Sequence, residues 1–239
     1  MATATVSRKS APKPTARVAR FHPALVGGTT VRAKTDQRAE PVAVHFRQGD
    51  VDSACGLCCV SMALAALGLV KASALESMSR RKFGVASAVW RAFQPTYFTG
   101  INAPELCDAV RSLALLLRLT MRHAANRNDV GAHRAVSEFA LSSLSSGALV
   151  MLAYRSLANG HQHWLLATGC GGLEVGRRVA NDTIYVLDPS NDTLPLAVFN
   201  SVLTRTERKG TAHPTWNLEC GAGYVVPVTL ISAIRFDRL

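Results

Sequence analysis

Aromatic side chains are scarce, 6% of the 239 residues, and acids are few, 16 Asp and Glu against 27 Lys and Arg. Long apolar runs are missing too. No stretch reaches the ~18 residues that a membrane-spanning helix needs. The best candidate, Cys58 to Val70, is 13 residues long and reads as a buried helix. Met1 to Lys9 has no apolar segment, so a standard secretory signal is not expected, and the chain is placed in the cytoplasm or delivered by another route. Six cysteines are too sparse for a disulfide scaffold and suit a reduced chain. No internal repeat is present, nor the basic–aromatic interleaving of single-strand binders, so no specific nucleic acid is expected as a partner. What is plentiful is aliphatic character. Hydrophobic residues make up 48%, enough for a sizeable core and too many for wholesale disorder.

The net charge of +11 is unevenly spread. Residues 1–40 hold eight Lys and Arg against two acids, Asp36 and Glu40, which is +6 of that total. The segment is rich in Ala, Thr, Ser and Pro and has no 3.6 or 2.0 period. It reads as a mobile basic tail, either merely solvated or able to contact an anionic surface or act in targeting. The folded domain is expected over 41–239, one domain at ~150 residues per unit with an appendage.

Val42, Val44 and Phe46 alternate with polar or small neighbours and suggest a short strand. From Cys55 to Val70 the chain is apolar on nearly every helical face, so this helix is expected to be central. Asp52 and Ser53 are candidate N-caps. Helical patterns follow over Ala74 to Phe93 (broken near Gly84), Pro104 to Leu119 and Asp129 to Leu144. The character then changes. Ala148 to Tyr154, His163 to Thr168, Thr183 to Leu187 and Tyr224 to Ile234 are β-rich, separated by turn clusters that include Gly169 to Gly176. Helices first and strands later predict an α+β fold, a helical first half packed on an antiparallel β-sheet second half.

The chemistry gathers where the polar loop Gln48–Ser53 runs into the helix. Cys55 stands at its start, where free N–H groups and the helix dipole favour the thiolate, the nucleophilic form. Gly56 leaves space for a substrate backbone. Gln48 can fold back so that its amide, with the Cys55 backbone N–H, forms an oxyanion hole. His163 opens a β-run after the Gly160–Gln162 loop and can serve as the proton carrier. Asp188 ends the run Ile184 to Leu187 and can orient His163 if the two runs pair. Asp188 before Pro189 is equally a turn former, and Asn191 or Asp182 takes the orienting role if the register slips. His161 is a loop residue or a substrate contact. Trp164 is packing that shields the site. Cys58 and Cys59, one turn deeper, are expected in the core. Cys55-x-x-Cys58 with His161-x-His163 is the competing zinc reading, but an apolar helix is poor company for a metal.

These segments resemble the papain-like cysteine peptidases, closest to the bacterial C39-like group. The match lies in Gln48 ahead of Cys55-Gly56 opening a hydrophobic helix, "HWLLATG" around His163 and "IYVLDPS" around Asp188, within residues 41–195. The resemblance implies a papain-like fold with Cys55 as nucleophile, His163 as base, Asp188 as orienter and Gln48 as oxyanion donor. Gln48 stands one residue further from the cysteine than is usual there, so its loop must bulge. The helical insert 71–146 has no counterpart. The expected activity is a cysteine hydrolase cleaving a peptide or isopeptide bond in a protein or peptide substrate, without cofactor or metal, as a bacterial effector or processing protease. The same residues would serve an amidase, deamidase or acyltransferase, or persist in a partner-binding module without catalysis.

Overall fold

The computed structural model describes residues 16–35, 40–50, 52–176, 178–206, 214–221 and 223–239. Strands dominate it. β1 spans Arg17–Phe21, and β2 (Leu25–Val26), β3 (Arg32–Ala33) and β4 (Val42–Ala43) form a small antiparallel sheet. Helices α1 (Cys55–Ala66), α2 (Ala72–Glu76), α3 (Val85–Phe93) and α4 (Ala103–Arg111) precede β5 (Leu117–His123) and α5 (Val130–Ser145). Then come β6 (Leu149–Ser156), β7 (Gln162–Val175), β8 (Arg178–Leu187), β9 (Ser201–Thr206), β10 (Thr215–Cys220) and β11 (Val225–Arg238).

Six of these strands close on themselves. The order β7-β6-β11-β10-β9-β8 is antiparallel throughout, and β8 pairs back with β7 to complete a barrel. The expectation of a papain-like helical half packed on a sheet is therefore corrected. Its failure has three local causes. The helical pattern of 104–119 stops at Arg111, Ala114 turns the chain with φ of 50°, and the remainder becomes β5. β9 and β10 carry too many polar residues to read as buried strands, although alternate positions such as Leu203, Trp216 and Leu218 point inward. The Gly169–Gly172 cluster, read as a turn, lies inside β7.

That glycine cluster shapes the barrel. Register shifts interrupt the β7–β8 ladder between Ala167 and Gly169 and between Gly171 and Gly172. Such bulges add local bend and twist, which closure requires. A side chain at Gly172 would run into the Ala180 carbonyl, and one at Gly169 into the Arg20 carbonyl. β7 and β11, each 14 residues long, serve two partners along one edge: β1 continues where β6 leaves β7, and β5 where β10 leaves β11.

Alternation in β6 builds two cores. Val150, Leu152 and Tyr154 face the barrel interior with Leu165, Ile184, Trp216 and Leu230, against which α5 is laid. Leu149, Met151 and Ala153 face the other way, onto α1. All twelve residues of α1 are buried, so the central helix is as expected, though it ends at Ala66. The basic segment is corrected in part. Residues 1–15 and 36–39 lie outside the described residues, but Arg17–Phe21 is paired with Leu173–Gly169, and Arg17 bridges Asp182 at 2.6 Å. Both partners are exposed, so this pair contributes at most about 1 kcal/mol. No helix among the described residues is long and apolar enough to cross a membrane.

Candidate functional site

Three elements meet at the start of α1. His163 is the second residue of β7 and sits opposite Tyr154 of β6. Asp188 follows the last residue of β8, one strand over. Pairing of Leu166 with Leu187 therefore sets both side chains at the same end of the barrel. There His163 Nε2 lies 2.9 Å from Asp188 Oδ1. Ser190 Oγ lies 3.3 Å from the same nitrogen, and the neighbouring Cys55 thiol helps to raise the imidazole. With Nε2 committed to Asp188, Nδ1 is the nitrogen left for sulfur. Cys55, His163 and Asp188 are thus brought together although 133 positions separate the first from the last.

The Asp188 carboxylate is held from every side. Ser190 N–H donates to Oδ1 at 2.8 Å and Asn191 Nδ2 to Oδ2 at 2.9 Å. The fully buried Asn200 accepts from Asp188 N–H at 2.7 Å and donates to its carbonyl at 2.8 Å. Asn191, an alternative orienter in the sequence, instead positions Asp188. Asp182 is engaged with Arg17 and plays no part here. Asn200 and Ser190 were not singled out by the sequence reading. Ser190 and Asn191 carry a signal in the short Asp-Pro-Ser-Asn turn, whereas Asn200, twelve residues on, has none.

The electrostatics are those of a buried ion pair. Burial alone would push His163 down, but hydrogen bonds to Asp188 and to Cys55, and their charges, raise it to about 9. Burial would push Asp188 up, but the His163 hydrogen bond and charge hold it below its ordinary value. The imidazolium therefore persists at neutral pH and faces Cys55. Cys58 and Cys59 lie in the core. Burial, then the charges of Asp52 and Cys55, pushes Cys58 up to about 12, and burial raises Cys59 well above its ordinary value. Neither is a nucleophile at neutral pH. Among the described residues no group of three or more His, Cys, Asp or Glu is placed to hold a metal ion.

Asp52 and Ser53 do not cap α1. The N-cap is Ala54, no side chain caps the helix, and Asp52 instead ties the loop together. Its carboxylate accepts from Gly49 N–H at 2.8 Å, Ala54 N–H at 3.1 Å and the Tyr97 hydroxyl at 3.0 Å. The first helical N–H groups are thus left to a ligand. Gln48 N–H donates to the Pro189 carbonyl at 2.9 Å, so the loop before Cys55 hangs from the turn that carries Asp188. The neighbouring Arg47–Asp192 pair, 2.8 Å, follows the same line.

Cys55, Gln48 and His163 line one cleft of about 630 Å³, together with His161, Trp164 and Ser190. Room at Gly56 is not for substrate, as the sequence suggested. A Cβ there would lie 2.6 Å from the Ile101 side chain and 3.5 Å from Trp164. The Trp164 indole donates to the Ile101 carbonyl at 2.9 Å and so clamps that loop onto the helix. His161 stacks on His163 with centroids 6.2 Å apart and reaches the cleft. No model of a known protein family matches the chain, and no curated protein matches it.

Proposed function

We propose that this protein is a cysteine hydrolase that cleaves a peptide or isopeptide bond through an acyl-enzyme on Cys55. The observation that carries the reading is the buried imidazole of His163, bonded to Asp188 and neighboured by the Cys55 thiol, at a helix start open to a cleft. The proton of the Cys55 thiol rests on His163 as the imidazolium, and the thiolate attacks the substrate carbonyl carbon. The oxyanion that forms is received by the Cys55 backbone N–H and the Gln48 amide. The intermediate then expels the amine, which His163 protonates, leaving a thioester. His163 next deprotonates a water, whose attack releases the acid and restores the thiol. Asp188 fixes the ring and stabilises its charge throughout.

Hydrolysis is one fate of the thioester. An amine in place of water gives acyl transfer, and a side-chain amide as substrate gives deamidation, so product analysis separates these within one mechanism. The primary test is alkylation by iodoacetamide at pH 6. Cys55 should label first among the six cysteines, and that preference should vanish in His163→Ala. Equal, slow labelling of all six in the wild type would refute the assignment.

A further inference from the structure

Between α2 and α3 the chain makes one tight turn, Met78–Arg80, and every residue from Ser79 to Val85 is exposed. The turn is tied down from below. Arg80 N–H donates to the Ser77 carbonyl at 3.0 Å and Arg81 N–H to the Met78 carbonyl at 3.2 Å. Arg81 Nε donates to the Ala74 carbonyl at 3.1 Å and to Ser77 Oγ at 3.0 Å, which fastens the turn to the end of α2. Gly84, with φ of 87°, then leads the chain into α3, and a Cβ there would meet nothing within 4 Å. Phe83 is carried on this held, convex tip. It is 85% exposed, the most exposed large hydrophobic side chain among the described residues, and Val85 beside it is 39% exposed.

A single exposed ring is ordinary on a protein surface. The surroundings of this one are not. Arg80, Arg81 and Lys82 precede it directly, and Arg91 adds a fourth cation on the exposed side of α3. From Ser77 to Pro104 there is no Asp or Glu, and the nearest acid along the chain is Glu76, at the end of α2. None of the four cations forms an ion pair among the described residues. A phenyl ring on a fixed tip among unpaired cations has both properties of an interfacial anchor: apolar area to sink below headgroups, and positive charge to meet them. We propose that this turn docks the protein on an anionic lipid bilayer. Phe83 enters the boundary between headgroups and acyl chains, and Arg80, Lys82 and Arg91 lie among the anionic headgroups. Charge complementarity selects the sign of the surface. Shape selects a bilayer: a protein partner needs about 800 Å² of matching surface on each side, and a nucleic acid strand needs a groove that follows its backbone. A fluid bilayer takes a projecting ring without either. The proposal does not rest on the hydrolase reading.

The test is co-sedimentation of the full-length protein with two kinds of vesicle, phosphatidylcholine alone and a mixture with about one-third phosphatidylglycerol. Binding to the anionic vesicles and not to the neutral ones is expected, weakening as salt rises. Phe83→Ala should weaken it about tenfold, the loss of one inserted ring, while Phe83→Leu keeps most of it. Arg80→Gln combined with Lys82→Gln should weaken it about 25-fold, about fivefold for each cation near the surface. All three positions are exposed, and an unchanged Tm verifies that each variant is folded. Equal binding by Phe83→Ala and wild type would overturn the proposal, since cations elsewhere, those of residues 1–40 above all, would then account for it. Absence of binding to anionic vesicles at low salt would overturn it too. Tighter binding to a single-stranded oligonucleotide or to polyglutamate than to vesicles, weakened by the same substitutions, would replace the bilayer with a polyanionic macromolecule.

Discussion

Asp188→Asn is expected to lower turnover by roughly three to four orders of magnitude, the usual effect of neutralising the carboxylate that orients a catalytic histidine. Asn offers an oxygen or an amino group to His163 Nε2. If it turns its amino group that way, the ring must carry its proton on Nδ1 and can no longer accept one from Cys55. If it turns its oxygen that way, Ser190 N–H keeps its acceptor but the amino group meets the donor Asn191 Nδ2. Either way a buried partner is lost, with a stability cost on the order of 3 kcal/mol. The pH dependence gives an independent signature. The folded-state pKa of His163, about 9, lies above its ordinary 6.5. The pair's contribution to stability is therefore fully present below pH 6.5 and lost as pH rises through 9. Seen from Asp188, whose value is held low, the same contribution is present above its ordinary 3.8 and lost as pH falls through the depressed value. The interaction is one, so the two ends are not added. Wild-type Tm should fall between pH 7 and 10, while Asp188→Asn, with burial now unopposed by a carboxylate, should be nearly flat there. Activity within tenfold of wild type, together with an unmoved His163 titration by NMR, would refute the orienting role.

The second large effect concerns the barrel. Trp216 is among the largest fully buried side chains, and its indole N–H donates to Ser137 Oγ of α5 at 3.2 Å. It thus fills the interior and ties α5 to it. Trp216→Ala is expected to cost about 3–5 kcal/mol, a transfer loss plus a cavity that surrounding strands cannot close. Against the 5–15 kcal/mol available to a whole domain this is severe. Urea unfolding followed by far-UV circular dichroism measures it. Trp216→Phe keeps most of the ring volume and should lose much less. A change below 1 kcal/mol in Trp216→Ala would mean that the barrel interior is not packed around this residue.

Cys55, His163 and Asp188 could be picked out of the chain because each stands at a boundary between a polar turn and an apolar run. A buried helix start and two strand ends are legible locally: hydrophobic periodicity and turn residues depend on neighbours in sequence. Asn200 could not be found this way, since its function is to hold Asp188, twelve positions earlier in the chain. Nor could Ile101, whose contact with Gly56 arises only when the α3–α4 loop is laid across α1.

The sequence by itself determined the central helix, the long buried strands and the boundary positions of the chemical groups, because burial pattern and turn chemistry act over a few residues. The tertiary structure alone decided that the strands close into a barrel and that part of the basic N-terminal segment joins it as β1. Closure depends on which distant edges find each other, on bulges that bend β7, and on weakly patterned strands such as β9 and β10 that become strands only when long neighbours offer them partners.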